Sequence, residues 1–187
     1  MNGFERELKT RILQAIPHAS IQGNINKDEV DGINESLMLN SNIIGVAPYI
    51  ETQGLLSSGT YLKGIYIFGV DTRYEKNVST IENHFIEGSL DSLEDNGYNL
   101  VIGDILAIQL GLRVGDSVNI LVPETVLGLA GILPRTKKFK ITGIFSLGAP
   151  EIDQSYVYLN IDNASKLLRT GDYVHGIRIR YSNLFNS

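Results

Sequence analysis

Apolar residues recur at helical spacing at the start of the chain and at a spacing of two further on. Phe4, Leu8, Ile12 and Ala15 share one side of a helical wheel, with Glu5, Arg6, Lys9 and Arg11 elsewhere. This pattern predicts an amphipathic helix, and Pro17 ends it by its missing N–H and its restriction of Ile16. A short strand over Ala19–Ile25 is expected next. A second helix is expected from an Asp28 N-cap to the neighbourhood of Asn40, with Val30, Ile33 and Leu37 on one face. From Ile44 the pattern turns to β: Ile44–Ser57 and Thr60–Val70, joined at Ser58-Gly59, predict an antiparallel hairpin. Asp71–Asn99 is polar, with Ile81, Phe85 and Ile86 as its apolar anchors. It is expected to be irregular surface structure with one helical turn, and to mark a boundary between lobes.

The remainder predicts compact α+β structure. Asn99–Ile102 reads as a strand, Asp104–Leu110 as a short helix closed by Gly111, and Ser117–Val122 as another strand. Lys137–Leu147 is a long strand with Phe139, Ile141 and Phe145 on one face and Lys138, Lys140 and Thr142 on the other. Ser155–Leu159, a helix over Asp162–Arg169, and His175–Tyr181 give a closing β-α-β unit. Set beside the opening elements, this unit implies a discontinuous lobe from residues 1–70 and 141–187, with residues 71–140 inserted.

Composition narrows the chemistry. The chain has 187 residues and no cysteine, which excludes disulfides, thiolate metal sites and cysteine nucleophiles. With 43% hydrophobic and 20% charged residues it is globular rather than disordered. A net charge of −5 argues against general nucleic-acid binding. The longest apolar runs, Ile65–Val70 and Val118–Val122, are strand-sized, so no membrane span is expected, and no signal peptide precedes the first helix. His18, His84 and His175 have no partner at metal-ligand spacing, and no nucleophile elbow or phosphate-binding glycine motif occurs. The carboxylates at Asp91, Glu94 and Asp95 and at Glu151 and Asp153 read as solvated loops. Neither metal, cofactor nor catalytic residue is expected.

One segment departs from ordinary connection chemistry. Pro123, Glu124, Thr125, Val126, Leu127, Gly128, Leu129, Ala130, Gly131, Ile132, Leu133 and Pro134 join two strands. That is far longer than a usual hairpin loop of about two to five residues. Apart from Glu124 the segment carries no charge, and a proline stiffens each end. Such a loop either folds back over its own core or stands out as an apolar prong, and an exposed apolar prong marks a partner site. Directly after it come Arg135, Lys137, Lys138 and Lys140 in an otherwise acidic chain. These are either ordinary cations of a strand edge or a basic collar that steers an acidic partner.

Several stretches carry a resemblance. They are Met1–Leu8, Ile12-Leu13, Pro17–Ala19, Val46–Pro48, Gly69–Asp71, Gly88–Leu90 and Leu110–Asp116. Later come Leu133–Arg135 with Lys138-Phe139, Thr142–Phe145, Leu159-Asn160, Asp162–Ala164 and Leu167–Arg169. Together they resemble the periplasmic region of lipoprotein-releasing ABC permeases, the LolC/LolE family. The resemblance implies a MacB-like fold, with a porter lobe split between the chain ends and an inserted, mainly β, sabre-like lobe. It implies a periplasmic, non-catalytic domain of an inner-membrane protein, working with a LolE-type subunit and a separate LolD-type ATPase on lipoprotein substrates. It further implies that residues 123–134 are a hook that captures a LolA-type carrier, as in LolC or LolF proteins. Asn119, Arg135, Thr136, Lys137 and Lys138 would form an adjoining pad, where Asn119 and Thr136 depart from the charged or larger polar residues expected. The alternative is another MacB-like transporter or mechanotransmitter that engages a different periplasmic partner.

Overall fold

The computed structural model describes residue 17, residues 19–123 and residues 134–182. The expected helix before Pro17 and residues 124–133 of the apolar loop lie outside the described residues. The strands are β1 (Ala19–Asn26), β2 (Ile43–Ser58), β3 (Tyr61–Val70), β4 (Phe85–Gly88), β5 (Asn99–Gly103), β6 (Ser117–Val122), β7 (Arg135–Phe145), β8 (Tyr156–Asn160) and β9 (Tyr173–Tyr181). The helices are α1 (Lys27–Met38), α2 (Thr72–Val78), α3 (Asp104–Leu110), α4 (Pro150–Asp153) and α5 (Ile161–Leu168). This mixture is the α+β architecture expected.

The strands run in the order β1-β9-β2-β3-β8-β5-β7-β4, with β6 bridging β2 and β7. That bridge closes β2, β3, β8, β5, β7 and β6 into a hydrogen-bonded ring. Alternation then puts every second side chain into one core. Leu56, Ile67, Leu100, Ile102, Ile120, Phe139, Ile141, Val157 and Leu159 all belong to it, and none is more than 2% exposed. Ala164 and Leu167 of α5 and Leu106 of α3 complete the cluster. Each such burial contributes about 1.5–3 kcal/mol, and the closed ring leaves no unpaired edge among these strands at their paired positions.

The first half of β2 belongs to a wing. There β1 and β2 both run antiparallel to β9, which lies between them, and α1 provides the crossover. Ile33 and Leu37 of α1 pack on Ile43, Val46, Ile177 and Ile179. The closing unit behaves likewise: β8 pairs with β3 and β5, and β9 with β1 and β2, so two strands separate the two arms. The division expected at 140/141 falls inside β7, and β5 of the middle segment is hydrogen-bonded to β8 of the C-terminal one.

Three local expectations need correction. Helix α1 is capped by Asn26, whose side chain accepts from the Asp28 N–H at 3.0 Å, so Asp28 is inside the first turn. The stretch 71–99 is ordered: it holds α2, 3-10 turns at Ile81–His84 and Leu90–Glu94, and β4. Its anchors are Val78, Ile81, Leu90 and Leu93, all at most 1% exposed, whereas Ile86 is 64% exposed. Their spacing follows 3-10 turns, which neither helical nor strand period detects. Finally, Phe139 and Ile141 do not share a core with Phe145. A bulge in β7, where Leu100 pairs with Ile141 but Val101 with Gly143, reverses the alternation. Phe145 therefore joins Val101, Tyr158, Ile81 and Leu90 in a second cluster on the other side.

The short motifs noted in the sequence build turns and close approaches. A Cβ at Gly69 would collide with Ala164 of α5, so glycine lets helix and strand meet. Asp71 caps α2 by accepting from the Arg73 N–H at 3.1 Å, and Asn160 caps α5 through the Asp162 N–H at 2.8 Å. Gly111 ends α3 at φ 64°, and Asp116 holds the next turn by accepting from the Arg113 N–H at 2.9 Å.

Candidate docking surface

The apolar loop has a defined base. Strands β6 and β7 are antiparallel neighbours whose last paired residues are Val122 and Arg135. Residues 123–134 therefore leave and re-enter the sheet at adjacent positions, with Pro123 and Pro134 both exposed. The chain between them, residues 124–133, is the expected hook and lies outside the described residues.

Register divides the five pad candidates. Asn119 pairs with Lys138 and Leu121 with Thr136, and Asn119, Thr136 and Lys138 are exposed on the outer side of the ring. Lys140, opposite Ser117, is exposed on the same side. Arg135 and Lys137 alternate to the core side with Val122, Ile120 and Phe139. There the Arg135 guanidinium donates to the Leu167 carbonyl at 3.3 Å, capping the C-terminal turn of α5. The Lys137 ammonium sits 4.0 Å from the centroid of the Tyr98 ring, which meets Phe139 edge-on. The candidates thus form one outer group and two cations engaged with the protein itself.

Chemistry of other kinds is sparse. Among the described residues no group of three or more His, Cys, Asp or Glu side chains is placed to hold a metal ion. His175 Nδ1 lies 3.1 Å from the Glu51 backbone nitrogen, a structural contact beside β2. A groove of about 330 Å³ is lined by Tyr49, Glu51, Phe68, Tyr156, Tyr158 and Arg178, among others. Its rings pack on one another, with Phe68 4.8 Å from Tyr156 and 5.4 Å from Tyr158. Burial pushes the Tyr158 hydroxyl up, away from use as a base.

Beneath that groove is a feature the sequence reading missed. Glu75 on α2 and Arg178 on β9 form a buried ion pair at 2.5 Å, with side chains 1% and 11% exposed. Glu75 Oε1 and Arg178 Nε have no hydrogen-bond partner there. Burial raises the Glu75 pKa, and the Arg178 charge opposes that shift. In the run Ile177-Arg178-Ile179-Arg180, alternation alone assigns both arginines to solvent. Only the position of α2 over this face shows otherwise.

Comparison with known proteins agrees with this architecture. The family model of the MacB-like periplasmic core domain matches residues 2–184. The chain is 34% identical over 182 residues to the lipoprotein-releasing system transmembrane protein LolC of Xylella fastidiosa, covering 96% of this chain and 43% of that protein. It is 30% identical over 190 residues to LolC of Neisseria meningitidis serogroup B, covering 100% and 45%. It is also 30% identical over 193 residues to LolE of Haemophilus influenzae, covering 100% and 46%. The chain thus spans less than half the length of these relatives. Among solved structures, the periplasmic region of MacB from Actinobacillus actinomycetemcomitans shares the fold with a TM-score of 0.55 and 17% identity, covering 89% of this chain and 69% of that one. The extracellular domain of the ABC-type transporter YknZ from Gram-positive bacteria gives 0.57 and 10%, covering 86% and 75%. With a family model spanning nearly its whole length and the same fold in these structures, the chain belongs to the family of MacB-like periplasmic core domains.

Proposed function

We propose that this chain is the periplasmic domain of an inner-membrane lipoprotein-releasing ABC permease, and that it captures a LolA-type carrier through the hook Pro123–Pro134. The whole-length similarity to LolC and LolE proteins supports the first part. The observation that carries the second is the pairing of Val122 with Arg135 at the base of an apolar segment bounded by prolines. In this reading the porter-like lobe comprises residues 1–70 and 141–187, and the sabre-like lobe residues 71–140. The domain is non-catalytic: a LolD-type ATPase supplies the energy, a LolE-type subunit completes the permease, and lipoproteins pass to the carrier.

The magnitudes suit a transient contact. Six apolar side chains, Val126, Leu127, Leu129, Ala130, Ile132 and Leu133, are available to enter an apolar cavity. Burying about 400–500 Å² contributes roughly 10–12 kcal/mol gross at 25 cal/mol/Å². The loss of freedom on association offsets a large part, leaving about 6–8 kcal/mol, which corresponds to micromolar binding. The test is calorimetric titration of this chain with the lipid-free LolA-type carrier of the same organism. The intact chain is expected to bind at micromolar concentration, and a variant with Glu124–Leu133 replaced by Gly-Ser is expected not to. Equal binding by both would move the contact off the hook, and no binding by either would favour another MacB-like transporter.

A further inference from the structure

We propose that the turn between α1 and β2 presents Met38, Leu39 and Ile44 to the lipid surface of the membrane that holds the protein. The inference rests on the permease reading above and goes beyond it, from what the domain captures to how it is seated.

The turn is an ordered apolar tip. Met38 is the last residue of α1, Leu39 is its C-cap, and β2 begins at Ile43. The Asn40 N–H donates to the Leu37 carbonyl at 3.1 Å, and the Ile43 N–H to the Asn40 carbonyl at 3.0 Å. The Asn42 N–H donates to the Asn40 side chain at 3.0 Å. With the backbone tied in this way, the apolar side chains are held out into solvent. Leu39 is 87% exposed, Met38 46% and Ile44 45%. Ile44 stands where the pairing of β2 with β9 shifts register, outside the alternation that buries Ile43 and Val46. Residues 36–50 carry no charge, in a chain that is 20% charged. The tip can therefore leave water without desolvating an ion.

Topology puts this tip where the chain enters and leaves. In the wing Ala19 is opposite Ile179 and Ile43 is opposite Tyr181, so the starts of β1 and β2 and the end of β9 share one end. Two strand spacings, about 10 Å, separate the outer two. The Ser182 N–H donates to the Asn42 carbonyl at 2.8 Å, so the described chain leaves from the turn itself. Among the described residues no helix is long and apolar enough to cross a membrane. In the permease reading the membrane-spanning part is therefore reached through these ends, and the end of the wing that carries the tip faces the bilayer.

Size and charge select lipid as the occupant. Three side chains on one turn offer roughly a few hundred Å², well short of the roughly 1,200 Å² of a stable protein interface, so a second copy does not fit. A bilayer needs no such area, because the rest of the protein already holds the tip beside it. Apolar side chains at such a surface settle about 5–10 Å into the boundary between headgroups and acyl chains. A net charge of −5 gives no attraction to anionic lipid, so the contact is apolar and indifferent to headgroup charge.

The test exploits the absence of tryptophan from the chain, since Leu39→Trp then places a single reporter at the tip. The control is Ile108→Trp, at a position 77% exposed on α3. There Gln109 accepts from Lys63, which pairs with Leu56, about 40 Å along β2 from Ile43. Both variants, verified as folded by far-UV circular dichroism, are tethered by a C-terminal hexahistidine to phosphatidylcholine vesicles carrying nickel-chelating lipid. On tethering, the Leu39→Trp emission is expected to shift about 10 nm to the blue and to be quenched about twofold by brominated acyl chains, with or without phosphatidylglycerol. Ile108→Trp should show neither change, and adding Met38→Ser and Ile44→Ser to Leu39→Trp should remove most of the quenching. If the two reporters behave alike, the membrane contact is refuted. It is equally refuted if Leu39→Trp is already blue-shifted without vesicles, which at any dilution means cover by the chain itself and only at high concentration means a second copy. An unquenched tip in a chain that binds the carrier sinks this inference and leaves the permease reading standing. A quenched tip in a chain that does not bind the carrier supports the membrane contact and sinks carrier capture.

Discussion

Strands β6 and β7 present two unlike surfaces, one on each side. On the core side Val118, Ile120, Val122 and Phe139 are at most 1% exposed, Arg135 caps α5, and Lys137, though exposed, lies over the Tyr98 ring. On the outer side Asn119, Thr136, Lys138 and Lys140 meet solvent. A period of two therefore separates inward from outward side chains within six residues, Arg135 to Lys140. Neighbours in sequence should respond to substitution in unrelated ways, and residues two apart should respond alike.

The largest effects should come from inward groups. Phe139→Ala should cost about 3–5 kcal/mol of stability in urea unfolding, because it empties the centre of the ring's core. Glu75→Ala should cost a similar amount, about 3–5 kcal/mol, because it leaves Arg178 buried without a counter-charge. The double variant Glu75→Leu/Arg178→Met should recover most of that loss, which a purely steric role for Glu75 would not allow. Arg135→Ala should cost about 1 kcal/mol through the lost cap on α5, with little change in partner binding. Lys138→Glu should leave stability within about 0.5 kcal/mol while weakening carrier binding.

A pH effect sharpens the same contrast between inward and outward charges. Burial raises the pKa of Glu75 against the opposing Arg178 charge. Only between the ordinary and the raised value does the native state therefore bind more protons than the unfolded chain, and above it Glu75 is the ionised partner of Arg178. The stability contributed in this way is fully present below the ordinary glutamate pKa and is lost as pH rises through the raised value. Asp153, also raised by burial, acts in the same direction, although the Leu147 and Ala149 N–H groups oppose its shift. In Glu75→Gln the slope of stability against pH over that window should be shallower than in the parent, as read from urea midpoints across a pH series.

Much of the fold was legible because long alternating runs leave little choice. The hairpin of β2 and β3, the α3 helix closed by Gly111, and β6 each fall within a residue or two of their expected bounds. What alternation could not supply were features set by distant partners. The bulge that turns Phe145 to a second core depends on β5, and the burial of Arg178 depends on α2. The segment 71–99 was misread because its anchors follow 3-10 spacing among polar residues. At the candidate site, the unusual loop was visible as a composition anomaly. The separation of Lys138 from Lys137 needed only the strand period, but the position of β2 beside β6 needed the pairing itself.

The most direct test of carrier capture is site-specific photo-crosslinking, with a photoreactive residue placed in turn at positions 129, 138 and 137 of the intact chain and the lipid-free carrier added. A carrier crosslink from positions 129 and 138 but not from 137 is the predicted result. A crosslink from 137 alone, or none from 129 under conditions where binding is measured, would contradict it.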